Sequence, residues 1–84
     1  MISAYLFISL STDNSDNTIL DSLNSIPEVK SAHRVYGTYD VVIFIVAENT
    51  KILREITLKS IRQLGFVHST MTLLSLSSFE RDAS

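Results

Sequence analysis

The chain has 84 residues, 45% of them hydrophobic and 19% charged, with no cysteine and a formal net charge of -2. This length allows one domain, and the absence of cysteine excludes a disulfide framework and a thiolate metal site. There is no excess of Lys and Arg to neutralise phosphates, so direct nucleic-acid binding is disfavoured.

The longest apolar run, Val41–Ala47, is far shorter than the ~20 residues of a membrane helix. The start, MISAYLFISLS, lacks the basic segment of a secretory signal, so a cytoplasmic protein with no membrane partner is expected. Ser3 to Ser11 alternates strictly, with Ala4, Leu6, Ile8 and Leu10 on one parity and Tyr5 and Phe7 between serines on the other. That pattern predicts a strand. After the polar stretch TDNSDN, Ser15 is the expected N-cap of a helix, with Asp16 in its first turn, where the helix dipole favours negative charge. Ile19, Leu20, Leu23 and Ile26 mark one face of that helix. Pro27 ends it, because the residue before a proline is pushed out of the helical region.

Val29 to Tyr36 reads as a second strand and Gly37 as its turn. Asp40 to Ala47, DVVIFIVA, is apolar at nearly every position, which predicts a central third strand. Asn49 and Gly65 frame a second helix as N-cap and C-terminal stop. Its buried stripe is Ile52, Leu53, Ile56, Ile61 and Leu64, while Lys51, Arg54, Glu55, Lys59 and Arg62 face water. Val67 to Ser77 is the fourth strand. The domain is expected to span residues 1–78, with 79–84 (FERDAS) as a C-terminal tail.

The order strand, helix, strand, strand, helix, strand predicts an α+β, ferredoxin-like βαββαβ plait: a four-stranded antiparallel sheet with two helices on one face. Two helices cover only one face of such a sheet, and the other is polar in a monomer. Here it is not. Tyr5 and Phe7 oppose the core-facing set of the first strand, and the third and fourth strands are apolar on both parities. A patch of that breadth calls for a partner. The simplest closure is a two-fold homodimer packed sheet against sheet, with Tyr5, Phe7, Phe44, Met71 and Leu73 in the interface. Which parity faces the partner is left open by the pattern.

The segment from Ile26 to Leu76 resembles the effector-binding, or RAM, domain of the Lrp/AsnC transcription regulators. The resemblance rests on Pro27-Glu28-Val29, on Gly37-Thr38-Tyr39-Asp40, and on Ser69-Thr70-Met71-Thr72-Leu73-Leu74, in that order and spacing, and it covers nearly the whole chain. It implies a dimeric α+β barrel whose sheets face each other, assembly of dimers into rings, and a free amino acid or similar small effector held between neighbouring dimers. It also implies a stand-alone RAM protein of a type found chiefly among archaea and some bacteria, since Met1 lies just before the first strand, leaving no room for the helix-turn-helix domain of full-length regulators. Any role in transcription is then indirect, through assembly or through full-length Lrp/AsnC partners.

The candidate effector-binding residues are Gly37, Thr38, Tyr39, Asp40, Ser69, Thr70 and Thr72. A hairpin glycine supplies positive φ, and the turn can also present N–H groups to a carboxylate. Asp40 can pair with an α-ammonium and Tyr39 can wall a side-chain pocket. The plainer reading makes Gly37 a turn residue, Asp40 a cap on the hairpin, and the threonines ordinary strand residues. The resemblance favours the first reading, and Tyr36 is ambiguous between packing and pocket.

His33 and His68 are the only histidines, early in the second and fourth strands. Neither has a carboxylate at ligand spacing, so no metal, no cofactor and no catalytic residue is expected. Two competing functions remain: a purely structural oligomerisation partner without effector, and an enzyme of the dimeric α+β barrel type. The second would need a polar pocket that the apolar strands leave little room for.

Overall fold

The computed structural model describes residues 1–11, 18–64 and 67–81. Its elements are β1 (Ile2–Leu10), α1 (Thr18–Asn24), β2 (Val29–Arg34), β3 (Val41–Ala47), α2 (Thr50–Glu55) and β4 (Val67–Leu74). The expected N-cap Ser15, the first-turn Asp16 and the C-terminal stop Gly65, with residues 82–84 of the tail, lie outside the described residues.

The four strands form one antiparallel sheet in the order β2-β3-β1-β4. β3, apolar throughout, and β1, apolar except at Ser3 and Ser9, occupy its centre. The alternation of β1 therefore sorts its side chains between two environments. Ala4, Leu6 and Ile8 are buried with Val41, Ile43, Ile45 and Ala47 of β3, their register partners or neighbours. Against this side pack Ile19 and Leu23 from α1, and Leu53, Ile56 and Ile61 from α2 and its continuation. Each such side chain contributes ~1.5–3 kcal/mol by leaving water, so this layer dominates the stability of the fold.

Ile19 and Leu23 are four residues apart, one turn of helix, and both are fully buried. The chain then turns at once: Ile26 N–H donates to Leu23 O (3.0 Å) and Val29 N–H to Ile26 O (3.0 Å), with Pro27 between them. The second helix starts as expected. Asn49 has extended backbone and its side-chain oxygen accepts from Ile52 N at 2.9 Å.

Beyond Glu55 that helix widens. Residues Ile56–Ile61 form a π-helical segment in which Arg62 N–H donates to Thr57 O, five residues back, and Arg62–Leu64 closes as a 3-10 turn. The apolar spacing explains the widening. From Ile56 the next buried residue is Ile61, five positions on, which an α-helix rotates well away from the sheet and a π-helix returns to it. The Thr57 hydroxyl donates to Leu53 O at 3.0 Å, a local bond that competes for the helical carbonyl. The regular helix expected from Asn49 to Gly65 is thus corrected: a short α-helix runs into a π-helical turn and ends in a 3-10 turn.

Two strands are shorter than expected. β2 ends at Arg34, leaving Val35 and Tyr36 exposed, Tyr36 completely. β4 ends at Leu74, with a last ladder bond from Ser75 N–H to Ser3 O (2.9 Å). β2 stops where the chain enters the hairpin turn to β3, with Val35 N–H donating to Asp40 O (2.9 Å), whereas β4 stops although β1 continues beside it to Ile2.

Candidate functional site

Asp40 organises the end of the sheet where β1 finishes and β3 and β4 begin. Its N–H donates to Ile8 O (2.9 Å), its carbonyl accepts from Val35 N (2.9 Å), and its carboxylate Oδ2 accepts from Leu10 N at 2.8 Å. The last bond satisfies a backbone donor of β1 beyond its paired register with β3, a capping role. Leaving such a half-buried donor without a partner costs about 1–3 kcal/mol. One residue thus ties the β2–β3 hairpin to β1.

With Asp40 fixed in this way, Tyr39 lies over the sheet face turned away from the helices. Its ring sits 5.5 Å from that of Phe7, tilted by 34°, and its hydroxyl lies 3.7 Å from Met71 Sδ, the weak contact expected of a thioether acceptor. The hairpin therefore reaches across β1 to β4. Gly37, at its tip, has φ +151, with open space where a Cβ would stand. The turn requires glycine for its backbone, not for any close approach. Thr38 is exposed beside it.

Register decides what else joins this site. Ser9 pairs with Ser69 and Phe7 with Met71, so Ser69 shares the open face with Tyr39. Thr70 and Thr72 pair with the buried Ile8 and Leu6 and so lie on the helix side. Thr70 and Thr72 share one parity of the fourth strand and Ser69, beside them, has the other. The structure brings Gly37, Thr38, Tyr39, Asp40 and Ser69 to one end of the sheet and places the two threonines on its other face. Ser9 joins the first group unannounced, although its parity with Phe7 was the available signal.

The residues expected in a dimer interface form one continuous patch on this face. Tyr5 pairs in register with Phe44 and Leu73, and Phe7 with Met71. The Tyr5 and Phe44 rings are 5.0 Å apart. Tyr5, Met71 and Leu73 are 46%, 37% and 47% exposed, while Phe7 and Phe44 are half-buried. Odd positions of β1 and β4 and even positions of β3 make up the face turned away from the helices.

The two histidines, both exposed, lie on β2 and β4, the opposite edges of the sheet. Three strand spacings, ~14 Å, separate those strands, too far for a shared metal ion. Among the described residues, no three His, Asp or Glu side chains cluster and no helix is long and apolar enough to cross a membrane. What the arrangement offers chemically is a rim of exposed turn backbone, hydroxyls at Thr38 and Ser69, an aromatic wall at Tyr39, and a carboxylate with one oxygen already engaged.

The sequence matches the family described as Lrp/AsnC ligand binding domain over residues 3–84, which includes the stretch 79–84. No curated protein matches it significantly. Among solved structures, TTHA0845 from Thermus thermophilus is 26% identical with a TM-score of 0.85, covering 96% of this chain and 100% of its own. AsnC of E. coli is 23% identical with a TM-score of 0.90, covering 98% of this chain and 56% of its own. A feast or famine regulatory protein from M. tuberculosis, in complex with L-methionine, is 20% identical with a TM-score of 0.82, covering 100% of this chain and 56% of its own. At these last two identities the likeness is one of fold.

Proposed function

This chain belongs to the Lrp/AsnC ligand-binding domain family, and from that premise we propose that it is an amino-acid-sensing oligomerisation module. Two copies pack open face to open face. Dimers meet further copies at the hairpin end, where a free amino acid or a similar small effector is held. The observation that carries this reading is the meeting of the hairpin with β4: Tyr39 over Phe7 and against Met71, beside the exposed turn of Gly37 and Thr38. The exposed turn beside this contact leaves room for another protomer to complete a site there. The L-methionine bound by the M. tuberculosis protein supports the ligand class.

An effector at such a junction acts by differential affinity: it favours the assembly it bridges over the separated dimers. Control of transcription then passes through the assembly state or through full-length regulators of the same family, and the chain itself performs no catalysis. Ser69, Thr38 and the turn backbone take the ligand's carboxylate, Tyr39 lines its side chain, and the free oxygen of Asp40 takes its ammonium group. Thr70 and Thr72 face the helix side and make no direct contact with that ligand within one protomer.

The bond from Leu10 N to Asp40 also supports a competing reading, in which Asp40 is structural and the protein joins assemblies without an effector. One measurement separates the two. Thermal unfolding is measured with each common amino acid at millimolar concentration; the effector, once at 100 times its Kd, should add about 2.7 kcal/mol, or about 10–20 °C for a domain of this size. Asp40→Asn keeps an oxygen for Leu10 N and removes the charge, so it should leave the fold intact and abolish the shift. No shift with any amino acid, and no change in elution size, sinks the effector reading. A full shift in Asp40→Asn assigns that residue to the fold alone.

A further inference from the structure

The covered face of the sheet is incomplete beside β4. Leu74 lies on the helix side, in register with buried Ala4, yet it is 49% exposed, and Leu58 on the π-helical segment is 48% exposed. With Leu53, Arg54, Thr57 and Thr72 they line a groove of about 360 Å³ between α2 and β4. Among the described residues no helix fills it, because the wide turn that brings Ile61 to the core carries Leu58 outward.

Immediately after β4 comes a segment with the complementary properties. Leu76 is 95% and Phe79 81% exposed, and the Phe79 ring faces only the Arg81 guanidinium among its described aromatic contacts, at 5.5 Å. The ladder bond from Ser75 to Ser3 sets the segment off along the line of β4. Five residues on, Phe79 can stand about 16 Å beyond Leu74. With Leu76 and Phe79 this exposed, the segment does not occupy the groove of its own chain. The order of side chains also fits: Phe79 is followed by Glu80, and Leu58 lies one helical turn from Arg54, on a surface where Lys51, Arg54 and Lys59 outnumber the single Glu55. The family match runs through these residues, so they belong to the domain.

We propose that the segment Ser75–Arg81 of one copy docks in the α2–β4 groove of a second copy, Leu76 and Phe79 over Leu58 and Leu74, and Glu80 opposite Arg54. A two-fold arrangement pairs each segment with the other copy's groove, so both patches close at once and no apolar end is left to propagate. This rests on the self-association proposed above but goes beyond it, since it places a second contact on the helix side of the sheet.

The absence of cysteine makes the test direct. Phe79→Cys and Leu58→Cys are prepared as separate full-length proteins, mixed, and oxidised mildly. Both positions are exposed, so neither substitution threatens the fold. The expected result is a disulfide between the two variants, forming about tenfold faster than a homodisulfide of either alone, a preference that proximity of the two thiolates sets. Adding Glu80→Lys should slow it, and adding Arg54→Glu to the partner should restore it. Sedimentation of the reduced mixture keeps the outcomes apart. A dimer that yields no preferential cross-link overturns the docking and leaves the sheet-face pairing standing, whereas a monomer overturns both. A Phe79→Cys/Leu58→Cys double variant that closes within one chain shows the segment folded on its own groove and also overturns the proposal.

Discussion

The two faces of the sheet are built from the same strands and are apolar to a similar degree, yet they live in different surroundings. On one, Leu6, Ile8, Ile43 and Ile45 lose all but a trace of their contact with water under two helices. On the other, Tyr5, Met71 and Leu73 keep more than a third of their surface in solvent, and the half-buried rings of Phe7 and Phe44 are screened chiefly by their neighbours. The difference lies in the residue types as well as in the cover. The helix side is aliphatic and branched, suited to close packing inside one chain. The open side carries tyrosine, phenylalanine and methionine, residues enriched where one protein meets another. A single strand thus carries a buried aliphatic parity and a more exposed aromatic one.

The largest effect should come from the covered face. Leu6→Ala leaves a cavity at the centre of the sheet and should cost about 2–5 kcal/mol, read as a fall in the urea midpoint. If the loss is under about 1 kcal/mol, below the usual range for such a truncation, the helices do not seal that face as described. On the open face, Leu73→Asp should act on assembly instead. A central interface residue is worth about 2 kcal/mol or more, so the dimer dissociation constant should rise about 30-fold while the far-ultraviolet spectrum of the protein is kept. An unfolded Leu73→Asp would erase the distinction between the faces.

Smaller changes sharpen the contrast at the ends of the elements. Gly37→Ala forces a side chain into a φ of +151 and should cost about 1–3 kcal/mol, with a loss of any ligand response, because the hairpin shapes the open-face site. Asn49→Ala removes the cap of α2 and should cost about 1 kcal/mol, with dimerisation unchanged, because α2 serves the covered face. Calorimetry and sedimentation on the same samples read both, and a reversed pattern would mean the hairpin and the helix serve opposite faces to those assigned.

Much of the fold is legible in the order of residues. The alternation of β1, the cap at Asn49, the stop at Pro27 and the central place of β3 follow from local rules that act within a few residues. The spacing from Ile56 to Ile61 is visible too, but it reads as a lapse in a helical stripe unless a π-helical turn is considered. The ends of β2 and β4 are not legible: β-forming residues run into the hairpin turn after β2, and β4 leaves the ladder after Leu74 although β1 continues to Ile2.

The candidate site was legible as a set of residues and not as a place. Ser69, Thr70 and Thr72 are close in sequence and divided between two faces, since each step along a strand reverses the side.

Short-range pattern and composition were enough for the element order, the fold class, the buried half of each central strand, and the surplus of apolar side chains that calls for a partner. Tertiary packing was needed to make Asp40 cap β1, to carry Tyr39 across to Met71, and to leave a groove open beside β4. Each of these depends on which residues of distant segments stand opposite one another: Asp40 meets Leu10 across 30 positions and Tyr39 meets Met71 across 32. No local rule reaches that far. The choice is made by the packing of the whole sheet, through the register of β1 against both its neighbours.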